Sequence, residues 1–85
     1  MPINSKCLAR LQQLGLPMVV DAVNLKGKII TQARIDLDGR TTDLSTHKVY
    51  DQPSAFRQAV VAKNTATYKY LIYQGKSLTA HGVKP

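Results

Sequence analysis

The sequence predicts an α+β domain, a small antiparallel sheet of short strands with an N-terminal helix and one central helix. Three observations lead to this prediction. Short runs of β-branched and aromatic residues alternate with turn residues along the chain. An Asp38-Gly39 pair supplies the positive φ that a tight hairpin needs. Apolar residues recur at helical spacing in two places, before Gly15 and after Pro53.

The first predicted element is a helix that Ser5 can cap and that Gly15 ends. Its apolar face consists of Cys7, Leu8, Leu11 and Leu14. Pro17 prevents the helix from continuing. We expect this helix to cover the sheet, with Cys7 buried as a small apolar residue.

Three strands and two turns follow. Met18–Val23 is a strand, Asn24–Lys28 is a glycine-containing turn, and 29–36 is a second strand with partial alternation of apolar residues. The Asp-Gly turn at Leu37–Arg40 leads into a third strand at Thr41–Leu44. These elements predict two consecutive hairpins.

The second half of the chain is predicted as strand, helix and strand. A polar loop at 45–48 precedes the short strand Val49-Tyr50. Pro53 opens the central helix, which we expect to end at Lys63-Asn64. A last strand at 68–73 reverses at Gln74-Gly75-Lys76 before Ser77-Leu78.

The length of 85 residues predicts a single domain at 1–85. Its core is expected to span about residues 5–78, and residues 79–85 are expected to form a mobile tail.

The charge of the chain points to a polyanionic partner. Twelve Lys and Arg residues oppose five acids, which gives a formal net charge of +7. Every acid lies between Asp21 and Asp51, so no acid follows Gln52. Nucleic acid is therefore the expected partner, and DNA is favoured over RNA.

Other classes of function and location are disfavoured. Cys7 is the only cysteine, which fits a reducing intracellular location, cytoplasmic or nuclear. The start of the chain lacks an apolar leader, and no apolar run is long enough to span a membrane. His47 and His81 have no metal-ligand spacing, and no catalytic triad or carboxylate pair can be assigned. We expect no enzyme activity, cofactor, metal, membrane partner or small-molecule substrate.

Six basic residues from Arg40 onward are the candidate phosphate contacts. They are Arg40, Lys48, Arg57, Lys63, Lys69 and Lys76. Ser54 joins them, because the start of the central helix presents free N–H groups to anions. The alternative is that these charges are scattered over the surface.

Two tyrosines are the candidate base contacts. Tyr68 and Tyr70 are two residues apart on the predicted strand and would share one side, where they could stack on a base. The alternative is that the rings pack in the core.

The order of these motifs resembles the RAMA domain, the restriction enzyme and adenine methylase associated domain. The matching features are Leu11-Gln12-Gln13-Leu14-Gly15-Leu16, Asp38-Gly39-Arg40, the helix start Tyr50-Asp51-Gln52-Pro53-Ser54-Ala55, the aromatic strand from Thr67 to Leu71, and Gln74-Gly75-Lys76-Ser77-Leu78. The resemblance covers about residues 8–78. The chain departs from the family pattern at Gln52, where a Ser is usual, at Thr67, where a Gly is usual, and at Tyr68 and Leu71, where the family has Trp.

The resemblance implies an accessory module found with restriction and modification enzymes, which in some members is proposed to recognise DNA carrying N6-methyladenine. The leading hypothesis is therefore a small nucleic-acid-binding module. The second hypothesis is a protein-interaction module, such as a phage-encoded inhibitor or an assembly subunit, that binds a partner or a second copy through the N-terminal helix or a sheet edge.

Overall fold

The computed structural model describes residues 5–61 and 67–83. Within them the chain forms helices α1 (Ser5–Leu14) and α2 (Pro53–Val60) and a short 3₁₀-helix at Thr67–Tyr70. The strands are β1 (Met18–Val23), β2 (Ile29–Ile35), β3 (Thr41–Asp43), β4 (Val49–Tyr50), β5 (Leu71–Tyr73) and β6 (Lys76–Ser77). The predicted α+β class is confirmed.

The six strands form one antiparallel sheet in the order β4-β3-β2-β1-β5-β6. The β1–β2 and β3–β4 connections lie at the same end of this sheet, because alternate hairpins in an antiparallel sheet turn at the same end. The β2–β3 and β5–β6 connections lie at the opposite end.

One face of the sheet carries the core. Val20 and Ala22 of β1 and Ala33 and Ile35 of β2 are buried in a single apolar cluster. Both helices contribute to it; the helical members include Cys7, Leu11 and Phe56. Cys7 is buried, as predicted.

The other face of the sheet is open. Register places Val19, Arg34, Thr42 and Val49 in one row across β1, β2, β3 and β4. Val19 and Val49 are about half exposed, at 48% and 56%. Arg34 is also exposed, whereas Thr42 between them is 8% exposed.

The core extends past Leu78, where the sequence predicts its boundary. Val83 is fully buried, and its N–H donates to the carbonyl of Leu78. The Nε of Arg10 on α1 donates to the carbonyl of His81 at 2.7 Å. Residues 79–83 are therefore packed against the first helix.

Two predicted element boundaries differ from the structure. Helix α2 ends at Val60, with Val61 as its C-cap, while the predicted end at Lys63-Asn64 lies outside the described residues. The predicted strand at 68–73 begins at Leu71, because Tyr68 and Tyr70 belong to the 3₁₀-helix. The tighter local winding turns Tyr68 into the core.

The β1–β2 and β2–β3 turns have the same backbone. In the first, the Asn24 N–H donates to the Lys28 carbonyl and the Gly27 N–H donates to the Asn24 carbonyl. In the second, Asp36, Gly39 and Arg40 repeat this pattern twelve residues later. Gly27 and Gly39 both have positive φ, 86° and 91°. Each is a three-residue hairpin loop that needs glycine at this position.

No described helix combines the length and apolar character needed to cross a bilayer.

Candidate nucleic-acid interface

Four exposed lysines lie on connections at one end of the sheet. Lys26 and Lys28 belong to the β1–β2 turn and Lys48 ends the β3–β4 connection. Lys69 lies in the 3₁₀-helix that leads into β5, and β5 starts beside the end of β1 because the two strands are antiparallel. We call this region the lysine end. Since neighbouring strands are about 4.8 Å apart, it spans roughly 20 Å from β4 to β5.

The turn that carries Lys26 and Lys28 is held in one conformation by its own side chain. The Oδ1 of Asn24 accepts the backbone N–H groups of Lys26 and Lys28 at 2.9 and 3.0 Å. Together with the backbone hydrogen bonds of the turn, this places two lysines one on each side of Gly27. The turn is therefore a preorganised carrier of two positive charges.

Lys48 also has a defined position. Its ammonium lies 5.3 Å from the centroid of the Tyr50 ring, within the range of a cation–π contact. Its backbone N–H donates to the Thr46 hydroxyl. The ring holds the ammonium at the surface without neutralising its charge.

Three of the five aspartates lie at the end of the sheet opposite the lysine end. Asp36 and Asp38 belong to the β2–β3 turn at the opposite end, and Asp51 follows β4 at that end. Arg34 pairs with Asp36 at 2.9 Å and Arg40 pairs with Asp38 at 3.5 Å. Positive charge at the opposite end is therefore largely compensated.

The two remaining acids do not place an exposed carboxylate at the lysine end. Asp21 lies within β1 and accepts a hydrogen bond from the Gln32 amide at 2.9 Å. Asp43 is 5% exposed; its Oδ1 accepts from the N–H and hydroxyl of Ser45 and from the Thr31 hydroxyl. Burial favours a higher pKa for Asp43, but these hydrogen bonds outweigh it and hold the pKa below its ordinary value.

The predicted phosphate contacts divide between the two ends. Lys48 and Lys69 lie at the lysine end. Arg40 and Lys76 lie at or beside the β2–β3 and β5–β6 connections at the opposite end, so they are not part of the lysine end. The prediction for Lys63 lies outside the described residues.

Tyr68 and Arg57 are interior residues, which corrects their prediction as surface contacts. Tyr68 is 1% exposed and Arg57 is 4% exposed. Burial, followed by the neighbouring Cys7, raises the pKa of Tyr68, and burial lowers the pKa of Arg57. In this conformation Tyr68 cannot stack on a base and Arg57 cannot reach a phosphate.

Ser54 belongs to the same interior cluster. The Tyr68 hydroxyl is hydrogen-bonded to Ser54 and to the sulfur of Cys7. This chain links α2, the 3₁₀-helix and α1. Ser54 is therefore engaged in packing rather than presented to an anion, and Tyr70 is half-buried on a different side of the 3₁₀-helix from Tyr68.

Sequence reasoning missed Lys26 and Lys28. The signal was present, because Lys-Gly-Lys stands at the tip of a predicted hairpin, where side chains are exposed. The predicted phosphate contacts began at Arg40 and did not include the lysines of this turn, because the part of the chain without acids lies after Gln52. Strand order, which brings the turn beside Lys69, could not be derived from local pattern.

The described residues contain no group of three His, Cys, Asp or Glu side chains that could hold a metal ion. Nε2 of His81 lies 2.8 Å from the carbonyl oxygen of Tyr73, so this imidazole is engaged in the fold.

Comparison of the chain with protein-family models, with curated proteins and with solved structures gave no match. The resemblance to the RAMA domain stays a prediction that depends on the quoted motifs.

Proposed function

We propose that this protein is a small nucleic-acid-binding module that docks through its lysine end, with DNA as the preferred partner. The observation that carries the proposal is the presence of Lys26, Lys28, Lys48 and Lys69 on connections at one end of the sheet, where no exposed carboxylate lies among the described residues. Exposed lysines grouped in this way attract phosphates and release their counterions.

The size of the lysine end suits a duplex. About 20 Å of B-DNA carries roughly twelve phosphates, since there is one charge per about 1.7 Å of helix axis. Four lysines spread over this length can each contact a different phosphate. Such contacts position the protein without reading the sequence.

The β1–β2 hairpin favours DNA over RNA. A two-stranded ribbon fits the major groove of B-DNA, which is about 12 Å wide, whereas the major groove of A-form RNA is deep and narrow. The N6 position of adenine also faces the major groove. If the protein recognises N6-methyladenine, the β1–β2 hairpin would contact the methyl group, because Tyr68 is buried.

The single buried cysteine supports an intracellular site of action, cytoplasmic or nuclear.

The test is fluorescence anisotropy with a labelled duplex at several salt concentrations. Each lysine that contacts phosphate contributes about −0.9 to the slope of log K against log salt, which corresponds to about eightfold in affinity at 0.1 M salt. K26Q/K28Q should therefore weaken binding by up to roughly 60-fold at 0.1 M salt and flatten the slope by about 1.8.

The matched control is R40Q/K76Q, which removes two positive charges from the opposite end. We expect it to change affinity by less than about threefold, because net charge alone acts weakly at this distance in salt. Equal losses in the two variants would contradict docking at the lysine end. A duplex and its N6-methyladenine counterpart, measured side by side, test the methyl preference.

A second candidate is a protein-interaction module. The exposed Val19 and Val49 on the open sheet face favour it, whereas Cys7 and Leu11 on the apolar face of α1 are buried in the core. A protein that binds no duplex at low salt but sediments as a dimer would support this candidate over the first.

A further inference from the structure

The β1–β2 hairpin projects beyond its neighbours on the β3 side. Strand β3 pairs with β2 only at Ala33–Ile35, and the Leu44 N–H reaches the Gln32 carbonyl. In the described part of the chain, no strand pairs with Ile29 or Ile30 on that side. The outer part of the hairpin is thus a free two-stranded ribbon.

This ribbon exposes apolar side chains beside its lysines. Leu25, Ile29 and Ile30 are 63%, 65% and 45% exposed. The register pairs Val23 with Ile29 and Ala22 with Thr31, so Ile30 is the extra residue of a β-bulge. The tip therefore exposes Leu25 and both isoleucines within a few residues of Lys26 and Lys28.

We propose that this hairpin enters the major groove of DNA and that Leu25, Ile29 and Ile30 contact the C5-methyl groups of thymine. The inference rests on the proposed function. Lys26 and Lys28 supply the charge complementarity that brings the hairpin to the phosphates of the groove. The thymine methyl is the apolar group that a base pair presents in the major groove, and aliphatic side chains read it by contact. The protein therefore prefers A·T-rich sites.

The preference has a predictable size. Removing one buried methyl group from an apolar contact lowers affinity by about fourfold, which corresponds to about 0.8 kcal/mol per carbon. Two or three contacted thymines would give roughly 15- to 60-fold. This difference in affinity between thymine-containing and thymine-free sites should not change with salt, whereas the contribution of the lysine–phosphate contacts falls as salt rises.

The experiment replaces every thymine of an A·T-rich duplex by deoxyuridine, which deletes the methyl groups and keeps the phosphate charge and the pairing. The unmodified protein should bind the uridine duplex at least about fourfold more weakly. L25S/I29S, which keeps Ile30, should lose most of this difference between the two duplexes, and L25S/I29S/I30S should bind both equally. Leu37→Ser is the matched control, because Leu37 has the same position in the β2–β3 turn and is 66% exposed; it should keep the full thymine preference.

The outcomes separate this inference from the proposed function. Lysine-dependent binding with equal affinity for the two duplexes overturns the thymine contact and leaves the phosphate docking intact. No binding to either duplex at low salt removes both. A third outcome is that the unmodified protein shows no thymine preference but binds anionic phospholipid vesicles, and that L25S/I29S does not bind them. This outcome would assign the hairpin tip to a membrane surface and overturn the inference. Circular dichroism of each variant checks that it is folded.

Discussion

The two hairpin turns on either side of β2 share a backbone and differ in charge. Asn24–Lys28 and Asp36–Arg40 have the same backbone hydrogen bonds, a glycine with positive φ at the same position and an exposed leucine at the same position. The first carries two lysines without a carboxylate partner among the described residues, whereas the second carries two aspartates paired with arginines. The two turns therefore show that the residues that set the backbone of the turn are different from the charged residues that could contact a partner.

Geometry in both turns comes from two features. Glycine adopts the positive φ at little cost. A side-chain oxygen also accepts hydrogen bonds from backbone N–H groups of the turn: Asn24 accepts two in the first turn, and Asp38 accepts one in the second. Neither feature requires lysine. The charges of the first turn are therefore free to serve binding.

Exchanging the two turns gives the largest expected effect. The combined variant N24D/K26D/K28R/D36N/D38K/R40K moves the charges between the ends and keeps composition and net charge. Because the charge of the first turn changes from +2 to −1, with one cation lost and two anions gained, we expect duplex affinity to fall by at least about 60-fold at 0.1 M salt, measured by anisotropy.

The unfolding midpoint of this variant should stay close to that of the unmodified protein, because both sequences suit the turn. Unchanged affinity would mean that binding follows total charge and not position.

Asp43 gives the next largest effect. Its carboxylate ties the β3–β4 connection to Thr31 near the base of the projecting hairpin. Asp43→Ala leaves buried donors without this acceptor and should lower the free energy of unfolding by about 2 kcal/mol at pH 7, measured by urea titration.

The pH dependence follows from the lowered pKa of Asp43. A carboxyl whose folded pKa lies below its unfolded value stabilises the fold above the unfolded pKa, near 4, and this contribution is lost as the pH falls through the folded pKa. Asp43→Asn should therefore flatten the acid limb of stability below about pH 4. The exposed Asp38→Asn is the control, and an equal flattening there would contradict the assignment.

The smallest effect tests whether the two turns are equivalent. Gly27→Ala and Gly39→Ala should each lower the free energy of unfolding by about 1 to 2 kcal/mol, because alanine is strained at positive φ. A Cβ at Gly27 meets no atom within 4 Å, so its loss comes from the backbone alone. A neutral Gly27→Ala variant would show that the turn does not need this conformation.

Much of the fold follows from local pattern. The bounds of β1 and β4 agree with the prediction, and Pro53 begins α2 as expected. Each depends on signals within a few residues, such as Pro17 before β1 or Asp-Gly between β2 and β3. The segment around Tyr68 could not be predicted from local pattern. Its residues favour a strand, but they form a 3₁₀-helix that buries the Tyr68 ring, with Cys7 and Ser54 beside its hydroxyl.

Long-range arrangement explains the rest of the differences. Arg57 stands on a helix whose exposed and buried sides depend on how it meets the sheet, and the helical pattern alone did not place it inside. Strand order decides that Lys69 lies at the same end of the sheet as Lys26 while Lys76 lies at the other end. Such proximity is set by pairing between distant segments and leaves no short motif.

The most direct measurement is a titration of ¹⁵N-labelled protein with a short DNA duplex, followed through the amide signals of the two glycines in equivalent turns. The account predicts that the Gly27 signal shifts progressively, together with those of Lys48 and Lys69, while the Gly39 signal stays in place. Shifts of Gly39 equal to those of Gly27, or shifts at neither glycine under low salt, would contradict docking through the lysine end.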